Sequence, residues 1–199
     1  MGTTGTNTIT STSTSTSRIL VLGDSLSAEY GLTRGTGWVA LLARRIESRK
    51  LPYAVVNTSI SGETTSGGRT RLPALLQRHT PSIVVIELGG NDALRGLPIS
   101  ATETNLHEMA RAVRQAGARP IILGMMMPPN YGRAYGEQFG ALFKRVADAE
   151  KAPLVPFFLD GIGDRMELFQ ADRIHPTEAA QPIMLDNVWP ALERMLTKR

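Results

Sequence analysis

The chain has 199 residues, a net charge of 22 − 18 = +4 and no cysteine. That length suits one domain of roughly 180 residues with a tail, and the missing thiols exclude disulfides, thiolate zinc sites, iron–sulfur clusters and a cysteine nucleophile. No stretch approaches the roughly 18 apolar residues of a membrane span, and the basic residues, 18 of 22 of them arginine, are scattered rather than gathered into the aromatic-interleaved stripe that nucleic acid requires.

Residues 1–17 stand apart, because twelve of the seventeen are Ser or Thr and the first charge is Arg18. So little apolar surface cannot offset the entropy of ordering, and the segment reads as a disordered tail. It has neither the basic start nor the apolar run of a signal peptide. From Arg18 onward, short apolar runs alternate with longer amphipathic stretches. The runs are Ile19–Leu22, Ala54–Val56, Ile83–Leu88, Ile121–Leu123 and Leu154–Phe158. They are rich in β-branched side chains and apolar on both faces, as buried parallel strands are. Between the third and fourth run, Ser100 and Glu103 have the spacing of a capping box. Leu106, Met109, Ala110 and Val113 then form one stripe at helical period, and Gly117 ends the helix. Phe139, Leu142, Phe143 and Val146 repeat the stripe in the next helix, and a last helix follows Pro176-Thr177-Glu178. Five strands alternating with helices predict a single-domain three-layer α/β/α sandwich, doubly wound and flavodoxin-like, over residues 18–199.

In that architecture ligands sit beyond the carboxyl ends of the strands. The segments there are Gly23-Asp24-Ser25-Leu26-Ser27, Asn57-Thr58-Ser59-Ile60-Ser61-Gly62-Glu63-Thr64, Gly89-Gly90-Asn91-Asp92 and Asp172-Arg173-Ile174-His175-Pro176. A serine hydrolase needs a nucleophile raised where backbone N–H groups are free, and Ser25 stands between strand and expected helix. It needs a base held by a carboxylate, and Asp172 and His175 are three residues apart. It also needs oxyanion donors, and the N–H of Ser25, the N–H of Gly62 and the amide of Asn91 are available. No metal and no cofactor is called for. Each element alone has a plainer reading: a helix N-cap for Ser25, a turn for the glycines, an Asx-turn for Asn91-Asp92, a structural histidine for His175. His79 ends a helix and His107 lies inside one, so only His175 follows a strand-end loop with an aspartate before it.

Taken together, Gly23-Asp24-Ser25-Leu26, Gly62, Gly89-Gly90-Asn91-Asp92 and Asp172-Arg173-Ile174-His175 resemble the motif blocks of the GDSL, or SGNH, hydrolase superfamily. The resemblance runs from Arg18 to the C-terminus. It extends through Ser59-Ile60-Ser61-Gly62, Arg71-Leu72-Pro73-Ala74-Leu75-Leu76 and Pro129-Asn130-Tyr131-Gly132 toward the bacterial thioesterase I, arylesterase and lysophospholipase group. It implies a serine acyl hydrolase of carboxylic esters and thioesters, with Ser25 as nucleophile, His175 as base, Asp172 as its orienter, and Ser25, Gly62 and Asn91 as the oxyanion hole. It also implies a periplasmic or secreted enzyme, although no signal peptide is visible and a cytoplasmic one is the alternative. The expected partners are small-molecule acyl esters, with no nucleic acid, no stable membrane insertion and a monomeric state. Leu94, Leu97, Pro98, Met126, Met127 and Pro129 are the candidates for holding the acyl chain, with Met125 divided between pocket and core. The sequence departs from the family pattern at Glu29, Ala93 and Arg173, where glycine or another small residue is usual. Two other readings compete: a flavodoxin-like binding module, disfavoured by the acidic Asp24 where a phosphate would sit, and a carbohydrate esterase of the same fold, disfavoured by the Leu, Met and Pro loops.

Overall fold

The computed structural model describes residues 16–197, apart from the side chain of Pro129. The Ser/Thr-rich stretch 1–15, and with it nearly all of the expected tail, lies outside the described residues. Five strands, β1 (Ser17–Gly23), β2 (Tyr53–Asn57), β3 (Ile83–Glu87), β4 (Arg119–Leu123) and β5 (Leu154–Val155), form one parallel sheet in the order β2-β1-β3-β4-β5. The helices are α1 (Trp38–Ser48), α2 (Thr65–His79), α3 (Gly90–Leu94), α4 (Ile99–Gln115), α5 (Arg133–Glu150) and α6 (Gln181–Thr197). α1 packs with α6, while α2 packs with α4 and α4 with α5, giving a helical layer on each side. Sandwiched so, β3 is buried along its whole length, and Ile19 to Leu22 of β1 are fully buried, which is why both read as unbroken apolar runs.

The predicted stripes lie inward: Leu106, Met109, Ala110 and Val113 of α4 and Phe139, Leu142, Phe143 and Val146 of α5 are all buried. Other expectations need correction. β1 starts at Ser17, inside the expected tail, because the Ser17 N–H bonds the carbonyl of Pro52 (3.0 Å) beside β2. β5 stops at Val155, since Pro156 has no N–H for the ladder. The chain still runs beside β4, with the N–H of Phe158 donating to the carbonyl of Gly124 at 2.8 Å. α4 begins at Ile99 with Pro98 in the capping place and no side-chain cap. Glu103 is drawn away from any capping box by Arg145 of α5, which grips its carboxylate at 2.8 and 2.7 Å.

The helical layers are tied by charge as well. Glu150, 2% exposed at the end of α5, meets three residues of α4: His107 Nδ1 at 2.8 Å, Arg111 Nε at 2.9 Å, and the Arg114 guanidinium. A lone buried carboxylate would be costly; three donors satisfy it. His107 is thereby a structural histidine.

Two glycines offer a test of this packing. A Cβ on Gly140, inside α5, meets nothing within 4 Å, whereas one on Gly124 would lie 2.4 Å from the Pro156 carbonyl oxygen. Gly140→Ala should therefore raise the unfolding free energy by about 0.5–1 kcal/mol through helix propensity, and Gly124→Ala should lower it by backbone collision. Urea unfolding of both variants reads the two signs.

Candidate active site

In the order β2-β1-β3, the chain leaves β1 for β2 on one side and later returns to β3 on the other. The switch point thus lies between β1 and β3, where doubly wound folds open a crevice. Ser25 follows β1 and Asn91 follows β3. No regular helix follows Ser25, contrary to expectation. The segment from Ser25 to Gly31 is a series of turns in which the Asp24 carbonyl accepts from the N–H groups of Ser27 (3.2 Å) and Ala28 (3.0 Å).

The structure brings the serine, histidine and aspartate together from opposite ends of the chain. Ser25 Oγ is 2.8 Å from His175 Nε2, and His175 Nδ1 is 2.6 Å from Asp172 Oδ2. The N–H groups of Ile174 (2.9 Å) and His175 (3.0 Å) donate to Asp172 Oδ1. These two backbone donors and the ring hold the Asp172 carboxyl down at about 2, the His175 N–H contributing most. An ionised carboxylate only accepts, so Nδ1 is the donor and the neutral ring leaves Nε2 free to accept from Ser25. The ring itself is held from outside: Tyr30 lies against it with centroids 4.3 Å apart. Gln170 holds the two loops together, with Nε2 donating to the carbonyls of Tyr30 (2.9 Å) and Pro176 (3.1 Å), while its N–H donates to the His175 carbonyl at 2.7 Å.

Gly62 has φ +79 and is steadied by Arg95, whose Nη2 donates to its carbonyl at 2.8 Å. Among the described residues the N–H groups of Ser25 and Gly62 donate to no protein acceptor. Asn91 is different: its Nδ2 donates both to Asp24 Oδ2 (2.9 Å) and to the Glu63 carbonyl (3.0 Å). An incoming oxyanion must displace one of these. Asp92 is buried and structural; it accepts from Thr65 N–H at 2.8 Å and from the hydroxyls of Thr65 (2.5 Å) and Thr102 (3.2 Å), joining α2 to α4.

Sequence reasoning passed over what lies beneath Ser25. Gly23 stands opposite Glu87 in the sheet, and a Cβ there would sit 2.7 Å from Glu87 Oε2, so only glycine admits the carboxyl. Glu87 is 2% exposed and Asp24 3%. The two carboxyls lie close enough for the Asp24 charge to act on Glu87. Glu87 Oε2 accepts from the Ser27 hydroxyl (2.7 Å) and the Asp24 N–H (3.2 Å), and Trp38 Nε1 donates to Ser27 Oγ at 3.1 Å. Burial pushes the Asp24 carboxyl up to about 6 and the Glu87 carboxyl well above its ordinary value, the latter also through the Asp24 charge. The signal was a lone glutamate closing an otherwise apolar strand.

Two departures from the family pattern fall where glycine would be easiest: Glu29 (φ +60) and Arg173 (φ +58) are both left-handed. The Glu29 carboxylate accepts from the N–H groups of Gly35 (3.0 Å) and Gly37 (2.8 Å), which helps to hold the loop before α1. Ala93 lies in α3 and has no such φ. Of the acyl-chain candidates, Leu94, Leu97, Pro98 and Met126 are exposed, Met127 is half-buried against the core, and Met125 is a core residue. The side chain of Pro129 lies outside the described residues. The large exposed hydrophobics Tyr30, Ile60, Tyr131, Met166 and Ile174 were missed, yet with Leu94, Leu97 and Met126 all of them fall in segments that follow the carboxyl ends of strands. A cavity of about 540 Å³ lies elsewhere, between Arg114, Arg119 and Pro153 at the amino ends of β4 and β5 and Arg194 of α6.

The sequence profile of the GDSL-like Lipase/Acylhydrolase family matches residues 21–182. Esterase TesA of Pseudomonas aeruginosa is 52% identical over 178 residues, which is 89% of each chain. Thioesterase 1/protease 1/lysophospholipase L1 of Escherichia coli is 43% identical over 168 residues, 84% of this chain and 79% of that one. The crystal structure of TesA superposes with a TM-score of 0.88 at 51% identity, covering 89% of this chain and 99% of the other.

The carboxyl pair makes stability depend on pH. Both groups titrate higher folded than unfolded, so their stabilising contribution is complete below about pH 4 and is lost as pH rises through about 6 and beyond. Gln does not titrate. Urea unfolding at about pH 5 and about pH 8 should show Glu87→Gln gaining stability relative to the native chain at the higher pH. A difference independent of pH would contradict the shifted carboxyl.

Proposed function

The chain belongs to the GDSL-like lipase/acylhydrolase family, and from that premise we propose how its residues divide the work of a serine acyl hydrolase. The enzyme hydrolyses carboxylic esters of small molecules. Ser25 is the nucleophile. Its Oγ attacks the carbonyl carbon while His175 Nε2 takes its proton, and the Asp172 carboxylate stabilises the imidazolium that forms. The tetrahedral oxyanion rests against the N–H of Ser25, the N–H of Gly62 and the Asn91 amide. As the tetrahedral intermediate collapses and its C–O or C–S bond breaks, His175 gives the proton to the departing oxygen or sulfur, and water repeats the sequence on the acyl-enzyme. The observation that carries this reading is the continuous hydrogen-bonded chain from Ser25 Oγ through His175 to Asp172.

The acyl chain lies over the apolar loops beyond the strand ends, on Leu94, Leu97, Pro98, Met126 and Met127 with Pro129, joined by Tyr30, Ile60, Tyr131, Met166 and Ile174. What supports this is the concentration of large exposed hydrophobics on those loops, a distribution that marks binding surfaces. Methionine adapts to chains of different shape. Thioesters and lysophospholipids belong to the proposed substrates through the name of the Escherichia coli relative. The domain that begins with β1 at Ser17 acts as a monomer in the periplasm or outside the cell; light scattering and cell fractionation test these two points. Among the described residues no helix is long and apolar enough to cross a membrane.

Ser25→Ala should reduce p-nitrophenyl ester hydrolysis by a factor of about 10⁴–10⁶ with the fold intact. Retention of more than about a tenth of the turnover would remove Ser25 from the role. A fluorophosphonate should label Ser25 alone among the serines, as read by mass spectrometry. Asn91→Ala should lower kcat by about 10²–10³ with KM little changed, because its amide meets charge that develops in the transition state. A raised KM at constant kcat would make Asn91 a substrate-binding residue instead. Comparing p-nitrophenyl esters of rising chain length with palmitoyl-CoA ranks the substrate classes, and the longer esters should gain kcat/KM.

A further inference from the structure

An asparagine amide can serve an oxyanion only when its nitrogen faces the site, and nothing covalent prevents it from turning over. In this protein its acceptors decide. Asn91 Nδ2 donates to Asp24 Oδ2 at 2.9 Å and to the Glu63 carbonyl at 3.0 Å. Asp24 is itself fixed by the Leu26 N–H, which donates to Oδ1 at 3.0 Å, and by its own N–H, which donates to Glu87 Oε2 at 3.2 Å.

The direction of each bond follows from groups that have only one role. Trp38 Nε1 can only donate, so Ser27 Oγ accepts from it at 3.1 Å and turns its own hydrogen to Glu87 Oε2 at 2.7 Å. The Asp24 N–H donates to the same oxygen at 3.2 Å. Glu87 and Asp24 are both buried and lie close together, and two neighbouring buried carboxyls do not both ionise; one carries a proton. Asp24 already accepts from Leu26 at one oxygen and from Asn91 at the other, which favours its ionised form. We infer that Glu87, as a protonated carboxyl donating to the Asp24 carboxylate, and Asp24, as the acceptor for Asn91, are positioning residues that hold the oxyanion amide nitrogen-first. Burial of Glu87, which favours its neutral form, supports this assignment. When the oxyanion forms, it takes the hydrogen now given to the Glu63 carbonyl, while the bond to Asp24 stays.

The inference rests on the reading of Asn91 as an oxyanion donor, and one double-mutant cycle separates the two. In Asp24→Asn the Leu26 N–H retains the one remaining carbonyl oxygen. A donor amide then faces a donor amide at Asn91, which turns over. Asp24→Asn should lower kcat by about tenfold or more at little-changed KM, no further than Asn91→Ala does, and in the Asn91→Ala background it should change kcat by less than about twofold. An Asn91→Ala variant with native kcat would sink the oxyanion reading. An Asp24→Asn effect that is absent, or equally large in both backgrounds, would overturn the positioning role alone. Glu87 is tested separately. Glu87→Leu, which offers Asp24 no donor, should lower kcat by about tenfold, and Glu87→Gln, whose amide restores one, should recover it to within about threefold at unchanged KM. Glu87→Gln as impaired as Glu87→Leu, with a native melting curve, would overturn the assignment of the proton.

Discussion

The lateral pairing of β1 with β3 is the constraint on which the site depends. Parallel strands share a carboxyl edge, and this register sets Gly23 against Glu87. The next residues, Asp24 and Ser25 on one side and Gly89 to Asn91 on the other, must then leave the sheet within hydrogen-bonding distance of each other. The missing side chain at Gly23 lets the Glu87 carboxyl approach the backbone and its neighbour Ser27. Ser25 and Asn91 thus rest on the same buried polar foundation.

The histidine arm is built differently. Asp172 and His175 lie on a long loop after a two-residue strand, with no sheet beneath them. Their placement comes from short local bonds, with Asp172 accepting from the backbone of its own turn, and from the Ser25–Gly31 segment, whose Tyr30 accepts from Gln170 and lays its ring against His175. Arg173 turns this loop at positive φ, a conformation that disfavours a residue with a Cβ. Ser25 and Asn91 therefore sit on the core, and Asp172 and His175 on a strap across it.

The same division explains the scatter of polar groups. Buried charges outside the site are satisfied by several donors, as Glu150 is by α4 and Asp92 by Thr65 and Thr102. Beneath Ser25 two buried carboxyls lie together instead, and burial favours their protonated form. Large hydrophobics that the core does not use collect on the loops of the carboxyl edge, where an acyl chain would meet them.

Much of this was legible in the sequence, and for a physical reason. Parallel strands buried on both faces have no polar side to hide, so their runs were visible, and so were the two amphipathic helices whose stripes face the sheet. The serine, histidine, aspartate and asparagine stood out because each follows a strand and because the motif blocks resemble a known family. The sequence by itself determined the alternation of strands and helices and the residue types placed at one edge. Local rules failed where a distant partner competed: Arg145 took Glu103 from its capping box, Pro156 cut short β5, and the expected helix after Ser25 became turns. Only the tertiary structure decided that Glu87 shares a hydrogen bond with Asp24, that Asn91 spends both amide hydrogens on Asp24 and Glu63, and that exposed hydrophobics from five separate loops lie at the same edge. Those facts depend on which strands are neighbours and in what register, and pairing between residues some sixty positions apart, as in Ser27 and Glu87, leaves no periodic trace in the chain.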